Sequence, residues 1–577
     1  MPTLPIATAL RESLRGYDGR RFSKDALAGL TIGLIAIPLA MALAIASGVA
    51  PQYGLYTAII AGIVIALCGG SRVNISGPTA AFVVILLPIT QQLGLPGLLL
   101  ATMLAGLILI AMGVTGLGKL VQFIPYPVLT GFTAGIAIVI AGLQLKDLLG
   151  IDIVLRDAHF VPAVLQTLWH LGYARWPDML IGGFSLAVLI SWPKLKLPIP
   201  GHLAALILGT LLAVLLRATV SDFDLATIGS RFSYTDASGA LQQGIPNTLP
   251  SFAWPWQLTS EPTFTLSLDT LRSLIGPAFA IAMLGAIESL LCAVVADGLS
   301  GYRHDPNAEL VGQGLGNVIA PLFGGITATA AIARTAANVR SGASSPIAAV
   351  IHGLVVLVAL LALGPLLQHI PMATLAAMLI IVAWNMSDAH RVIKVLKFSP
   401  RADAMVLLIC LLLTVLFDMV IAVEIGLLLS AVLFIKRMSE LSDTALVPHF
   451  HAHSKEPLPA HVAVYDINGP LFFGAADRAM HALWRVDPAM KAVILDMRDV
   501  PVMDLTGIVA LESLITDMQQ KQIAVRLVAL NERLQAKLVK AGVLGQYSWA
   551  RHSADVHAAV ASLELPAVSQ DRTGDLK

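Results

Sequence analysis

The chain has 577 residues, 56% of them hydrophobic and only 13% charged, against about 25% charged in an ordinary soluble protein. Residues 441–577 hold 13 basic and 15 acidic groups, leaving 45 charges for the first 440 residues; so sparse a segment cannot coat a water-soluble globule and must be solvated by lipid. A net charge of +1 excludes the basic excess of a nucleic-acid binder, and Cys68, Cys292 and Cys410 sit in apolar runs that imply neither a disulfide framework nor a metal site.

Residues 1–25 are polar, with Arg11, Arg15, Arg20, Arg21 and Lys24, and read as a cytoplasmic flank. A cleavable signal would need an apolar stretch and a small-residue cleavage site. A transmembrane domain is expected over 26–437, with apolar spans at 26–47, 52–68, 78–90, 97–115, 122–145, 176–193 and 202–219. A polar stretch covers 220–268. Spans at 270–297, 309–323, 328–340, 345–367, 371–387, 402–416 and 419–436 follow, which makes seven on each side. The spans 78–90 and 328–340 are shorter than the ~20 residues a crossing helix needs.

With the N-terminus inside, the loops carrying Arg72, Lys119, Lys194 and Lys196, Arg303, and Arg391, Lys394, Lys397 and Arg401 all fall inside, as does the flank Lys436–Arg437. The 220–268 loop, with Arg231 as its one basic residue against Asp222, Asp224, Asp236 and Glu261, falls outside. Both termini are therefore expected on the cytoplasmic side.

The halves 26–219 and 270–437 echo one another. Ser47-Gly48-Val49-Ala50 matches Asp297-Gly298-Leu299-Ser300 at an offset of 250, and Gly69-Gly70 matches Gly324-Gly325 at 255. Thr79-Ala80-Ala81 matches Thr335-Ala336-Ala337 at 256, and Ile124-Pro125 matches Ile370-Pro371 at 246. Seven is odd, so the second copy runs upside down. The fold expected is an α-helical membrane protein of fourteen transmembrane segments in a 7+7 inverted repeat, followed by a small cytoplasmic α/β domain. A short broken helix at the matching place in each copy is the sequence pointer to a transporter's binding site. In the tail, apolar runs at Val462–Ile467, Ala492–Met497 and Ile523–Leu530 alternate with helical patterns near 474–485, 505–519, 531–541 and 553–563. The segment 438–460 reads as a linker, 461–565 as the domain and 566–577 as a terminal tail.

Ser76-Gly77-Pro78-Thr79 announces the first short helix, with proline at its first position, and the second starts after Gly324-Gly325-Ile326-Thr327-Ala328-Thr329. Two helix starts at mid-membrane offer unpaired N–H groups and positive dipole ends to an anion. Arg334 lies inside the second of them; at membrane depth an arginine is functional by default unless it snorkels to the surface, and its guanidinium complements carboxylate or sulfate oxygens. Glu288, mid-way along the eighth span, is a candidate for loading and releasing a proton, for holding Na⁺, or for plain helix packing. Glu424 in the last span has no polar neighbours and carries no assigned role. Gly312, Gly314 and Gly316 lack the preceding soluble strand of a dinucleotide site and read as helix packing. His449, His451 and His453 alternate in a solvated linker. Asp504 is read as the N-cap of a helix in the tail, with Thr506 just beyond it as a candidate phosphorylation site. No nucleophile–base pair or paired catalytic carboxylates stand in the sequence, so the chain is not read as an enzyme.

These residues resemble the sulfate permease (SulP, SLC26-type) anion transporters. The run from Asp25 through Ala28-Gly29-Leu30-Thr31 and Ile37-Pro38 to Ala40-Met41-Ala42 is similar to the family's first helix, and Pro51, Gly54, Leu55 and Tyr56 to the signature after it. Ile75-Ser76-Gly77-Pro78-Thr79 is similar to its third helix, and Asn307-Ala308-Glu309-Leu310-Val311-Gly312 and Ala333-Arg334-Thr335 to the segments around helices nine and ten. The tail, with Gly469-Pro470-Leu471-Phe472-Phe473 and Asp504-Leu505-Thr506-Gly507, resembles a STAS domain.

The resemblance implies a core domain moving against a gate domain, a homodimer, and an anion held near Leu39, Leu43, Thr79, Ala80, Ala333 and Arg334. It also implies Glu288 as the coupling acid. Cys292 stands where some relatives carry a threonine near sodium; a thiol is a poor ligand for a hard cation, so H⁺ is expected as the coupling ion rather than Na⁺. Gly285-Ala286-Ile287-Glu288-Ser289-Leu290-Leu291-Cys292 and Gly325–Arg334 resemble the bacterial DauA (YchM)-like carriers, which implies C4-dicarboxylate uptake at a bacterial inner membrane. Leu39 where many members carry Gln, and Ala333 where some carry Ser, depart from sulfate-type hydrogen bonding. The function expected is proton-coupled uptake of a succinate-like dianion, without a bound cofactor. Sulfate or bicarbonate carriage is one alternative. A membrane anion sensor signalling to a cytosolic protein through the STAS domain is the other.

Overall fold

The computed structural model describes residues 6–119, 125–153, 160–195, 197, 199–220, 222–235, 240–258, 266–417, 419–440, 443–446, 459, 461–472, 490–546 and 550–563. The chain divides into two units, Met1–Leu428 and Leu429–Lys577. The helices are α1 (Thr8–Ser13), α2 (Gly19–Ala46), α3 (Pro51–Cys68), α4 (Val83–Val114), α5 (Tyr126–Leu143), α6 (Leu145–Leu148), α7 (Phe160–Trp169), α8 (Trp176–Leu195) and α9 (Gly201–Thr219). They continue with α10 (Ile228–Arg231), α11 (Leu268–Ser300), α12 (Pro306–Ile319), α13 (Ile332–Arg340), α14 (Ile347–Leu367), α15 (Met372–Ser387), α16 (Ala389–Phe398), α17 (Arg401–Leu416) and α18 (Met419–Glu440). Among the described residues, nine helical stretches are long and apolar enough to cross a membrane.

The halves meet in matched pairs. Helix α2 packs on α14 as α11 packs on α4, α3 on α14 as α12 on α4, and α5 on α17 as α15 on α8. The α4–α12 pair is close because both partners are glycine at the crossing: a Cβ on Gly106 would stand 2.7 Å from the Gly314 carbonyl oxygen, and one on Gly314 2.6 Å from that of Gly106. Gly312, Gly314 and Gly316 thus serve helix packing, as their lack of a preceding strand suggests. Pro125 and Pro371 precede α5 and α15 with nearly the same backbone angles, φ −67°, ψ 139° and φ −68°, ψ 138°.

The structure shifts two of the expected matches. Helix α11 runs through Asp297-Gly298 and stops at Gly301, whose φ of 75° mirrors the 82° of Gly48. Thr335 lies a turn inside α13, whereas Thr79 precedes its helix; the true counterparts are the strands β1 (Ser76–Gly77) and a later strand at Thr329–Ala330, offset by 253. Single-letter similarity among small residues cannot fix register to within a turn. The short helices α1, α6, α7, α10 and α16 were also not expected. α7 and α16 are ten residues each, below the length that an unbroken apolar run reveals. In the polar stretch, β2 (Ser233–Thr235) and β3 (Leu241–Gln243) pair antiparallel, and Met372 N–H donates to Ala226 O at 2.9 Å, tying the stretch to the start of α15. The strand at Thr329–Ala330 is β4.

In the second unit a five-stranded sheet runs in the order β5 (Asp443–Leu446), β6 (Val462–Asn468), β7 (Ala492–Asp496), β8 (Ala524–Val528) and β9 (Ala550–Ser553), with the β5–β6 pair antiparallel and the others parallel. Strand β5 falls inside the segment read as a linker and adds to the sheet. Because side chains alternate across a strand, Ala463, Tyr465, Val493, Leu495, Val525 and Leu527 pack on one face with the helix Leu505–Gln520, while Val462, Val464, Ala492 and Ile494 meet Val556 and Ala559 on the other. The expected helix near 474–485, the histidines 449, 451 and 453, and the tail 566–577 lie outside the described residues.

Candidate functional site

Two extended segments meet within the membrane unit and each leads into a helix. β1 and β4 pair antiparallel, Ser76 opposite Ala330 and Gly77 opposite Thr329, and the Ala331 N–H donates to Ile75 O at 2.9 Å. Pro78 does not open its helix as expected. Thr79 is still extended (φ −125°, ψ 156°), followed by a 3-10 turn at Ala80–Phe82 and then α4. Pairing with β4 holds residues 76–77 extended and so delays the helix start past the proline. No side chain caps either helix start, at Thr79 or at Ala331. The first N–H groups of both helices therefore remain available to a ligand.

Arg334 stands in the first turn of α13, 6% exposed. Its Nη2 donates to the Pro78 carbonyl, and its Nη1 has no hydrogen-bond partner. A Cβ on Gly77 would lie 2.9 Å from that Nη1, so glycine there makes room for the guanidinium. Thr79 Oγ1 donates to Glu288 Oε2 at 3.1 Å. Arg334 and Glu288 thus reach adjacent residues, 78 and 79, from α13 and α11, and form no ion pair with each other. Behind them, Thr335 Oγ1 accepts from the Ile75 N–H at 3.0 Å and Ser289 Oγ meets Thr329 Oγ1 at 2.7 Å, fixing α13 and α11 to the two strands.

Of the other expected residues, Ala80 is buried beside Thr79, and Ala333 is exposed. Leu43 is buried and Leu39 half-buried four residues earlier, on the same face of α2; no hydrogen bond ties either side to the strands. The side chain of Glu424 lies outside the described residues. Asp504 caps the tail helix as expected, accepting from the Gly507 N–H at 2.8 Å, and Thr506 is exposed in its first turn.

The sequence reading gave no role to a polar ladder on α12. Glu309, 1% exposed, accepts from the Gly70 N–H at 3.0 Å, the Ser71 N–H at 2.9 Å, Asn74 Nδ2 at 2.9 Å and Gln313 Nε2 at 3.1 Å. Gln313 Nε2 also donates to Ser76 Oγ at 3.0 Å, and Asn317 exchanges bonds of 2.8 Å with the Ala328 backbone. Polar residues at 309, 313 and 317, four apart on one face of α12, were the available signal. His352 of α14, fully buried with its Nδ1 close to Gly62, also escaped notice.

The sulfate permease family model matches residues 22–410 and the STAS domain model residues 457–559. The chain belongs to the sulfate permease family. It is 41% identical over 92% of its length to the Bacillus subtilis protein YvdB, whose name assigns it to sulfate transport, covering 95% of that protein. It is 32% identical to the bicarbonate transporter BicA of Picosynechococcus over 90% of its length and 91% of the relative's. The solved transmembrane domain of a cyanobacterial BicA superposes with a TM-score of 0.60 at 32% identity, over 70% of this chain and 98% of that one. SLC26A9 superposes with a TM-score of 0.81 at 18% identity, over 96% of this chain and 92% of that one, a likeness of fold. The protein is a multi-pass membrane anion transporter with a C-terminal STAS domain; its relatives are transporters rather than enzymes. The expected dicarboxylate specificity finds no support among these relatives, whose names point to sulfate and bicarbonate.

Proposed function

We propose that the protein is a proton-coupled carrier of one compact oxyanion, sulfate or bicarbonate ahead of a C4-dicarboxylate. The anion sits between the helix starts at Thr79–Ala80 and Ala333–Arg334, with Leu39 and Leu43 as its apolar wall, and Glu288 carries the proton. The observation that supports this reading is the convergence of Arg334 on Pro78 and of Glu288 on Thr79. While Glu288 is ionised it holds the Thr79 hydroxyl, and its negative charge opposes an entering anion. Protonation removes that charge and frees the hydroxyl to donate to the substrate alongside Arg334 Nη1 and the uncapped N–H groups. Loading of the proton and of the anion thus favour one another.

Substrate size follows from the cation inventory. Arg334 is the one buried arginine or lysine of the first unit among the described residues. A single guanidinium suits one oxyanion, whereas the two separated carboxylates of succinate ask for a second cationic partner. The sequence names of the relatives point the same way. The positive-charge pattern supports a plasma-membrane protein with both termini cytoplasmic, the family resemblance supports a homodimer, and the exposure of Thr506 supports a regulatory surface there. Competition in proteoliposomes among sulfate, bicarbonate, succinate, fumarate and aspartate tests the substrate. Sulfate or bicarbonate should displace the labelled anion at lower concentration than any dicarboxylate. Accumulation also separates a carrier from a sensor, which binds without concentrating its ligand.

A further inference from the structure

We propose that α16 is a recognition surface for anionic phospholipid headgroups. The helix follows a sharp reversal at Asp388, whose backbone is left-handed (φ 42°, ψ 47°), and ends before Pro400 at the start of α17. It joins two apolar helices, α15 and α17, so it lies where membrane spans leave the bilayer. At 3.6 residues per turn, His390, Arg391, Lys394 and Lys397 fall within an arc of about 120°, and Val392, Ile393, Val395 and Leu396 occupy the opposite side. From 388 to 401 the only acidic residue is Asp388, and it is taken by Arg391 Nε at 2.9 Å. Lys394 and Lys397 are exposed.

The apolar side is only partly used by the protein. Val395 is buried, but Ile393 is 51% exposed and Leu396 41%. Trp384, a turn before the reversal, is 70% exposed, a position suited to the headgroup level. A short helix with one basic and one apolar face lies in the interface plane, apolar side toward the acyl chains and cations among the headgroups. Each basic residue there gains from an anionic surface by Coulomb attraction that a zwitterionic surface does not supply. The charge complementarity selects phosphatidylglycerol-type lipid over phosphatidylcholine, and the positive-inside pattern places the surface at the cytoplasmic leaflet.

The full chain is reconstituted into nanodiscs of phosphatidylcholine with or without about 30% phosphatidylglycerol, and its melting temperature is followed. The wild type should melt higher with phosphatidylglycerol. The Lys394→Gln/Lys397→Gln double variant, which leaves the Arg391–Asp388 pair intact, should lose most of that rise, and the Lys394→Arg/Lys397→Arg variant should keep it. Inorganic phosphate added to phosphatidylcholine nanodiscs should give no rise. An equal rise in the Gln variant and the wild type would overturn the proposal, as would the same rise from inorganic phosphate. If the Gln variant does not fold, the arginine variant still decides: loss of the rise with charge retained contradicts an electrostatic surface.

Discussion

In the proposed mechanism Arg334, Glu288 and Thr79 carry the chemistry at the scale of single residues. The first two were legible because an isolated charge in an apolar run has few structural uses. Their shared address was less so. The sequence shows a Gly-Pro pair and a short helix, but not that the Arg334 guanidinium and the Glu288 carboxylate come to consecutive residues. The arrangement makes a direct demand on Glu288→Gln. The amide keeps the shape and the neutrality of the protonated acid yet cannot release a proton. Downhill exchange of substrate should survive, whereas accumulation driven by an inward proton gradient should vanish. Wild-type uptake should quicken as the external pH falls, since lower pH loads the group, and the variant's uptake should stay flat. Gradient-driven accumulation by a variant that melts like the wild type would remove Glu288 from the coupling role.

The device that assembles the site at the level of elements is the crossing of β1 with β4. Two-residue strands have no periodicity to read, and their paired residues stand 254 and 252 positions apart, so no local pattern announces them. The same reason hid Glu309. In sequence it is an acid in the first turn of α12, a common place for one; its four donors come from Gly70, Ser71, Asn74 and Gln313. It fastens α12 to the segment that enters β1. Glu309→Ala would leave buried N–H and amide groups without partners, which costs about 3 kcal/mol in total, and the variant should melt well below the wild type. Because β1 would lose its support, anion affinity should fall together with the melting temperature. A variant with unchanged melting would show that the ladder is not a fastening. Helices α3, α5, α9, α14, α15 and α17, in contrast, stand within a few residues of the expected spans, because long apolar runs between Gly, Pro and charged loops leave little freedom, whereas α2 begins at Gly19, seven residues inside the expected flank.

For the molecule as a whole, composition alone separated a lipid-solvated part from a water-solvated one. The change in charge density near 440 falls close to the division of the structure at Leu428 and Leu429. The antiparallel strand β5 was missed because four residues, Asp443–Leu446, fall below a readable run. Deleting 441–577 removes the whole sheet and leaves the packed pairs of the first unit untouched. The truncated protein should insert and bind its anion with near wild-type affinity but transport or assemble poorly. Full transport by the truncated form would show the tail to be dispensable.

In the proposed mechanism Arg334 holds the anion between the two helix starts. Its most direct test is the dissociation constant of the transported anion for purified Arg334→Ala in detergent, with thermal melting beside it. Loss of a charged hydrogen bond should raise the constant by about tenfold to a hundredfold while the protein stays folded. An unchanged dissociation constant in a folded variant would contradict the site.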